Sequence, residues 1–255
     1  MQLTLTAISG ILLIKNGDNL SNIIWDALLT NQIQLIDNDI FVITQKVVSK
    51  AEGRLVYLSN VQVSKQAKEI SKTSNKDPRL IELILRESKE ILRVTENHII
   101  VEHRLGFVCA NAGIDHSNVS SEHGNPDECF LLLPENPDLS AQKIKKALEE
   151  KSGKKIGILI IDSQGRAWRN GIIGTAIGVA GLPALIDLRG KEDLFGFKLR
   201  ITQVAAADEL ASAASLLMGQ ADEKRPVVHV RGFPYHLRDS SIRELNRPKE
   251  QDLFR

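Results

Sequence analysis

Two apolar segments that each run into an aspartate constrain this chain most. In Val108–Asn118 a short strand leads through small residues to Asp115, and in Ile156–Ile161 an apolar strand leads directly to Asp162. A glycine-rich stretch follows the second strand, with Gly165, Gly171, Gly174, Gly178 and Gly181. Carboxylates hold hard cations, and bare backbone lets N–H groups approach phosphate oxygens. The pattern predicts a metal-assisted phosphate site at two strand ends, with the glycine-rich stretch as a loop.

The composition is that of an ordinary globular chain, in one large domain or two small ones. The 255 residues carry a formal net charge of +1, so no basic field predicts a nucleic-acid partner. Cys109 and Cys129 lie in apolar segments, which predicts buried, reduced thiols in a cytoplasmic protein. No apolar run approaches ~18 residues and no signal segment is evident, so we expect a soluble protein without a membrane partner.

Apolar periodicity predicts alternating strands and helices, which is typical of an α/β or α+β protein. The predicted strands are Leu3–Ile8, Asp39–Thr44, Ile91–Thr95, His98–Glu102, Phe107–Cys109, Glu128–Leu133, Ala184–Leu188, Lys198–Val204 and Pro226–Arg231. The predicted helices are Asn19–Leu29 with Ser21 as its cap, Ser64–Thr73, Pro78–Lys89, a helix from Ser140 to Lys151 stopped by Gly153, and Ala205–Met218 ended by Gly219. We expect residues 1–235 to form the functional unit and residues 236–255 a charged, loosely attached tail.

The polar segment Gln45–Arg54 directly follows the buried strand Asp39–Thr44. Lys46 and Lys50 are four residues apart, so a helix would place them on one face, and a loop could also bring them together. Lysines are usually solvated. However, the segment after a buried strand is where α/β proteins place ligand-binding residues. Both interpretations stay open at this point.

The two aspartates also have a purely structural interpretation. Asp115 and Asp162, taken singly, are typical of residues that end a strand, and close packing against Ala176 and Ala180 would explain several of the glycines. No Gly-x-x-x-x-Gly-Lys-Ser/Thr loop and no Gly-x-Gly-x-x-Gly fingerprint follows the first strand, which disfavours the nucleotide folds that carry them. The residues alone therefore indicate a metal-dependent phosphate site and no more.

An aromatic side chain lies between two cations in the glycine-rich stretch. Trp168 is flanked by Arg166 and Arg169. Its ring could stack on a ring-bearing ligand or anchor the loop to the core, and the sequence favours neither.

Several long segments resemble one enzyme family. They are Gln45–Arg54, Phe107–Asn118, Leu132–Ala141, Asp162–Leu182 and Ala207–Gln220, together with Gly17–Leu20. In this order, from about Ile8 to Arg231, they resemble the coenzyme F420-0:gamma-glutamyl ligases. The resemblance implies a two-lobed α+β fold, an intertwined homodimer, and amide-bond formation between L-glutamate and the deazaflavin coenzyme F420-0, with GTP as co-substrate.

The resemblance also implies roles for particular residues. Asp115 and Asp162 resemble ligands of one Mg²⁺ or Mn²⁺ ion, and Ser163 and Gln220 ligands of a second, with Glu209 as the substitute for Gln220; K⁺ is a further candidate. The implied nucleotide contacts are Leu12, Leu13, Gln45, Lys46, Lys50, Asn118 and Gly219. Asp115, Asp162 and Lys50 are the implied catalytic residues. Leu12 and Ala167 depart from the family pattern, because many relatives have proline there.

The resemblance leads to a hypothesis for the reaction, in which the γ-phosphoryl group of GTP activates the acceptor carboxylate as an acyl phosphate. The glycine-rich stretch is then a loop that closes over the intermediate, and Arg166 or Arg169 binds the acceptor phosphodiester or the glutamate carboxylates. Three alternatives remain: an amide ligase acting on another acceptor, a nucleotide phosphohydrolase, and a non-enzymatic nucleotide-binding scaffold.

Overall fold

A five-stranded mixed sheet lies at the centre of the protein, with the strand order β1-β12-β2-β8-β9. The structure is a computed structural model that describes residues 1–11, 13–119 and 125–253. The strands are β1 (Thr4–Ala7), β2 (Ile40–Thr44), β8 (Gly157–Arg166), β9 (Arg169–Ala180) and β12 (Val227–Arg231). β2 and β8 are parallel, and every other neighbouring pair is antiparallel.

Both faces of this sheet are covered by helices. Phe41 and Ile43 pack on one face with α1 (Leu20–Thr30) and α5 (Pro137–Ser152), whereas Ile40 and Val42 pack on the other face with α6 (Ala206–Met218). Because successive side chains of a strand point to opposite faces, a central strand covered on both sides needs a continuous apolar run. The predicted strand Asp39–Thr44 has this run and is confirmed.

A three-stranded antiparallel sheet forms a second packing centre. It contains β4 (Ser88–Val94), β5 (Ile99–His103) and β6 (Val108–Ala110), and it packs on α3 (Lys65–Ser74) and α4 (Pro78–Arg86). Two further strand pairs are β3 (Leu55–Tyr57) with β7 (Cys129–Leu131), and β10 (Ile186–Asp187) with β11 (Gln203–Val204). The mixed α+β class is confirmed.

Asparagines, not the predicted serines, cap two helices. Asn19 Oδ1 accepts the N–H of Asn22 at the start of α1, at 3.0 Å. Asn136 caps α5, and the Ser140 hydroxyl instead donates to Glu52. Asparagine and serine cap equally well, so the local sequence did not decide between them.

The glycine-rich loop predicted after Asp162 is absent. Residues 157–180 form the β8–β9 hairpin, and Asp162 lies within β8 rather than at its end. A Cβ on Gly178 would lie 2.5 Å from Pro137 Cβ, and one on Gly174 would clash with the Ala211 carbonyl oxygen. These two glycines therefore let α5 and α6 pack closely against β9. Packing is the reason for them, but the partners are Pro137 and Ala211 and not the predicted Ala176 and Ala180.

The predicted strand Lys198–Val204 is mostly wrong. Only Gln203 and Val204 are in a strand, and residues 189–202 are mostly exposed, with Leu194 97% and Phe195 94% exposed. Apolar alternation over a short window does not by itself provide a partner strand.

The C-terminal segment is attached, in contrast to the loose tail expected. Ile242 is buried against the α6 face of the sheet. Arg238 donates to the Leu185 carbonyl at 3.0 Å, and Asn246 Nδ2 donates to the Leu105 carbonyl at 3.1 Å. None of the described helices has the length and apolar character needed to cross a membrane.

Candidate functional site

Two lysines project from a short helix that starts where β2 ends. The helix, α2, spans Gln45–Ala51. Lys46 and Lys50 are one helical turn apart and contact the same loop, at Ser117 and Asn118 respectively. The helical alternative for this segment is therefore confirmed, and a strand-to-helix junction positions both cations.

Asp115 is held by the loop that faces Lys46. Lys46 Nζ lies 2.8 Å from Asp115 Oδ2 and donates to Ser117 Oγ at 2.6 Å. Asp115 Oδ1 accepts the Ser117 N–H and hydroxyl at 2.7 and 2.8 Å. Burial alone would raise the pKa of Asp115, but the bonds and charge of Lys46 outweigh it and hold this pKa below its usual value.

Asp162 lies just beyond the point where β2 stops pairing with β8, since Thr44 opposite Ile161 is the last pair. The carboxyl is buried, and this burial is the main reason that its pKa rises to about 7. The charge of Asp115 raises the pKa further, whereas Lys46 opposes the rise. The two aspartates predicted from distant segments therefore lie within electrostatic reach of each other. A cation between them would favour both ionised forms.

Ser163 and Gln220 form the second predicted pair. Ser163 Oγ donates to Gln220 Oε1 at 2.9 Å. Strand alternation turns Ser163 toward the α6 face, opposite to the Asp162 side chain. Gln220 follows Gly219, which ends α6 with φ +74°. Glu209 lies near the start of α6, about 13 Å along the axis from its end, so the structure does not bring this substitute to Ser163.

A chain of hydrogen bonds connects the nucleotide-contact candidates. Lys50 Nζ donates to the Asn118 carbonyl at 2.8 Å, and Asn118 Nδ2 donates to the Ala221 carbonyl at 2.8 Å. Burial, followed by the charge of Lys46, lowers the pKa of Lys50. These bonds join α2, the Asp115 loop and the segment after α6 into one polar surface.

Gln45 carries a buried amide that the surrounding protein satisfies only in part. Gln45 is only 1% exposed, and its side-chain Oε1 accepts a hydrogen bond from the Ser49 hydroxyl at 2.9 Å. Its Nε2 is buried and has no hydrogen-bond partner among the described residues. Since buried polar atoms are normally paired, such a donor needs explanation by a bound group or water. Of the other nucleotide-contact candidates, Leu13 is exposed, and Leu12 lies outside the described residues.

The donor set fits hard divalent cations. Two carboxylates, one hydroxyl and one amide oxygen are available, from Asp115, Asp162, Ser163 and Gln220. Within ranges 1–11, 13–119 and 125–253, no three His, Cys, Asp or Glu side chains come together as a metal cluster. Mg²⁺ usually takes one or two carboxylates and completes its shell with water and substrate phosphates, which matches this sparse set.

Two contacts of the site were missed by the sequence argument. Ser117 binds both Asp115 and Lys46, and Ala221 accepts from Asn118 through its backbone. The Asp-x-Ser spacing is a known turn signal that could have identified Ser117, whereas a backbone acceptor leaves no trace in side-chain identity.

Cys109 is buried, which raises its thiol pKa to about 12 and makes it a poor nucleophile.

Comparison with known proteins places the chain in a family. The family model described as F420-0:Gamma-glutamyl ligase matches residues 10–232. Coenzyme F420:L-glutamate ligase of Methanothermobacter thermautotrophicus is 47% identical over 257 residues, covering 100% of both chains. The protein of the same name from Methanocaldococcus jannaschii is 46% identical and covers 89% of this chain and 88% of its own. The one from Archaeoglobus fulgidus is 38% identical over 100% of this chain and 97% of its own. The chain therefore belongs to the F420-0:gamma-glutamyl ligase family.

Proposed function

We propose that this protein is a GTP-dependent ligase that joins L-glutamate to coenzyme F420-0 through an amide bond. The convergence of two carboxylates and two lysines from three separate segments carries the proposal. The names of the relatives supply the acceptor and the amino acid. Addition of further γ-linked glutamates belongs to the same proposal.

The proposed chemistry begins with activation of the acceptor. A carboxylate does not condense with an amine at neutral pH, because its oxygen is a poor leaving group. Transfer of the γ-phosphoryl group from GTP gives an acyl phosphate and GDP. The glutamate amine then attacks the acyl carbon, the amide C–N bond forms, and inorganic phosphate leaves with the C–O bonding pair. The amine proton passes to solvent.

Specific residues would hold the reactants for these steps. Bound Mg²⁺ or Mn²⁺ ions supply charge neutralisation for the phosphates. Asp115 and Asp162 would hold one ion, and Ser163 with Gln220 a second. Lys46 and Lys50 would exchange their present contacts for phosphate oxygens.

The nucleotide half of the site would use groups around α2. The unpaired Gln45 amide would donate to the nucleotide, and Asn118, Leu12, Leu13 and Gly219 would border it. K⁺ is proposed as an accessory ion, which kinetics in K⁺ against Na⁺ buffers would test.

Mass spectrometry of the acceptor tests the reaction. The protein is incubated with coenzyme F420-0, GTP, L-glutamate and Mn²⁺ or Mg²⁺. We expect mass increments of one glutamyl unit that depend on GTP and on the metal, with stoichiometric GDP and phosphate. Phosphate release that does not need the acceptor would instead identify a nucleotide phosphohydrolase. Glutamylation of other carboxylates but not of F420-0 would identify a ligase for another acceptor.

We also propose that the family's two-lobed, intertwined homodimer forms here. The exposed loop 189–202 supports it, because it exposes four large apolar side chains within eight residues: Leu194, Phe195, Phe197 and Ile201. Exposed apolar patches of this kind mark interaction surfaces. Light scattering should give twice the chain mass of 28.3 kDa. The double variant Leu194→Glu, Ile201→Glu should shift the protein to the monomer, and an unchanged dimer would place the interface elsewhere.

A further inference from the structure

The β8–β9 hairpin extends beyond the body of the sheet as an exposed arm. Every residue from 165 to 172 is exposed. The arm turns at Ala167 and Trp168, where Arg166 pairs with Arg169. It continues directly from Asp162 and Ser163, so its base is part of the candidate site.

The arm presents its charges on the same face as Asp162. Along β8, alternation places Asp162, Gln164 and Arg166 on one face. The pairing is irregular between Gly165 and Arg166, but the two extra residues, Asn170 and Gly171, lie on β9. Arg169 is the cross-strand partner of Arg166, and directly opposed side chains share a face. About 13 Å of strand separates Asp162 from Arg166. A molecule that offers a carboxylate at the aspartates can therefore lie along this face and reach both arginines.

The two arginines form a pair of like charges that no carboxylate of the described residues neutralises. Directly opposed like charges destabilise an antiparallel ribbon. Within the part of the chain that the structure describes, neither guanidinium forms an ion pair with a carboxylate, and Arg166 donates only to the Asn170 carbonyl at 3.4 Å. An anion between the guanidinium groups would relieve this repulsion, and two guanidinium groups together suit a phosphate.

Trp168 occupies a backbone conformation that favours glycine. Trp168 has a φ of +64° and is 85% exposed. A bulky side chain is rare in this region, and such strain at a turn is found where the side chain serves a function. Glycine would adopt this φ without strain, so the turn by itself does not require a tryptophan. An exposed indole at a ribbon tip can stack on a planar aromatic ligand.

We propose that this arm is the binding site for the acceptor, with Arg166 and Arg169 holding its phosphodiester and Trp168 stacking on its heteroaromatic ring. The inference rests on the proposed function and adds the residues that select the acceptor. The carboxylate to be activated then lies toward Asp162. None of these three arm residues is among the nucleotide contacts proposed above, so acceptor affinity and nucleotide affinity would be set by separate groups.

Binding and steady-state measurements on arm variants test the proposal. The acceptor's Kd is measured by fluorescence with coenzyme F420-0, and that of GTP by calorimetry. The double variant Arg166→Gln, Arg169→Gln should raise the acceptor Kd and KM by about 10- to 100-fold, as expected for the loss of two charge-assisted contacts. Its kcat at saturating acceptor and its GTP Kd should stay within about twofold of wild type, since neither arginine lies at the reacting atoms.

The tryptophan is tested with two substitutions. Trp168→Gly should weaken acceptor binding about tenfold while Tm stays the same or rises, because glycine accepts the positive φ. Trp168→Phe keeps a ring and should bind like wild type. A parallel fall of Tm and acceptor affinity in both variants would show a merely structural role and would overturn the assignment.

Arg93→Gln is the matched control, since Arg93 is an exposed arginine on β4, outside the arm. If wild type glutamylates F420-0 and the arm variants behave like this control, the arm assignment is wrong and the proposed function stands. If the arm variants become monomeric, the arm is an interface between copies and the assignment is also wrong. If wild type neither binds nor glutamylates the acceptor, the proposed function fails and this inference fails with it.

Discussion

At the scale of single residues, the candidate site is held together by contacts that its ligands would have to replace. Lys46 pairs with Asp115 and donates hydrogen bonds to Ser117, and Lys50 donates one to the Asn118 carbonyl. Both oxygens of Asp115 already interact with protein groups, since Oδ1 accepts hydrogen bonds from Ser117 and Oδ2 pairs with Lys46. A metal ion and a triphosphate would therefore exchange partners with the protein rather than enter an empty cavity.

Asp162→Asn should abolish ligation without unfolding the protein. Asparagine has the same shape and carries no buried charge, so Tm should be maintained, whereas loss of a metal ligand should reduce kcat by about 10²- to 10³-fold or more. Coupled GDP release and circular dichroism melting measure the two effects. Asp26→Asn, an exposed change on α1, is the control. Near-normal turnover in Asp162→Asn would refute the metal assignment.

Lys46→Gln should change metal and nucleotide affinity in opposite directions. Without the ammonium on Asp115, Mn²⁺ alone should bind several-fold more tightly, and GTP should bind about tenfold more weakly because a phosphate contact is lost. Calorimetry with Mn²⁺ and with GTP measures both affinities. Lys50→Gln should weaken GTP binding but affect Mn²⁺ much less, since Lys50 donates to a carbonyl. Weaker Mn²⁺ binding in Lys46→Gln would contradict the proposal that a metal ion replaces Lys46 at Asp115.

At the scale of elements, β9 shows how an edge strand is covered. Its outward backbone N–H groups donate to side chains of the two helices that lie against it. The Ala176 N–H donates to Asp208 Oδ1 at 2.9 Å, and the Val179 N–H donates to Asp138 Oδ1 at 2.8 Å. An exposed edge would otherwise pair with another chain. Gly174 and Gly178 of β9 are required for this close approach, so these two glycines serve packing.

Gly178→Ala should destabilise the fold. Its Cβ would lie 2.5 Å from Pro137 Cβ and 2.6 Å from the Pro137 carbonyl carbon, and backbone cannot move aside cheaply. We expect a loss of about 2–3 kcal/mol in the free energy of unfolding, measured by urea titration. The matched control is Gly165→Ala, which meets nothing within 4 Å and should stay within about 0.5 kcal/mol of wild type. Equal losses in both would refute the packing explanation.

At the scale of the whole molecule, an ion pair with one buried partner joins segments that are far apart along the chain. Arg231 on β12 donates to both oxygens of Asp39, at 2.9 and 2.7 Å, and Asp39 is almost fully buried. This contact fixes β12 beside β2, between the first strand and the middle of the sheet. Burial would raise the pKa of Asp39, but the hydrogen bonds from Arg231 and the Ile36 N–H, together with the His229 ring 3.0 Å away, lower it to about 2.

Stability should therefore fall in acid through Asp39. Its folded pKa is below its unfolded value, so its contribution is complete above about pH 5 and is lost as the pH falls toward 2; the full amount is about 2 kcal/mol. Unfolding free energies of wild type and Asp39→Asn between pH 6 and 2 should converge as the pH falls. Asp26→Asn should run parallel to wild type. If the difference in unfolding free energy between wild type and Asp39→Asn stayed constant with pH, the carboxylate charge would have no part in that difference.

Local patterns were enough for much of the framework. The apolar run from Ile40 to Ile43 identified a strand covered on both faces, and the spacing of Lys46 and Lys50 anticipated a shared helical face. The pair Asp115 and Asp162 was selected as a candidate from strand context. These features depend on neighbours within a few residues, which is the range over which periodicity and propensity act.

The amino-acid sequence by itself determined most of the strands and helices and which polar residues were candidates, because burial alternates with the local backbone period. Only the tertiary structure decided that Ser163 meets Gln220, that Asn118 reaches Ala221, and that the glycine-rich stretch is a hairpin with an exposed arm. Those outcomes depend on which faces are buried against each other across the whole molecule. That balance of packing is collective, and no short window of sequence contains it.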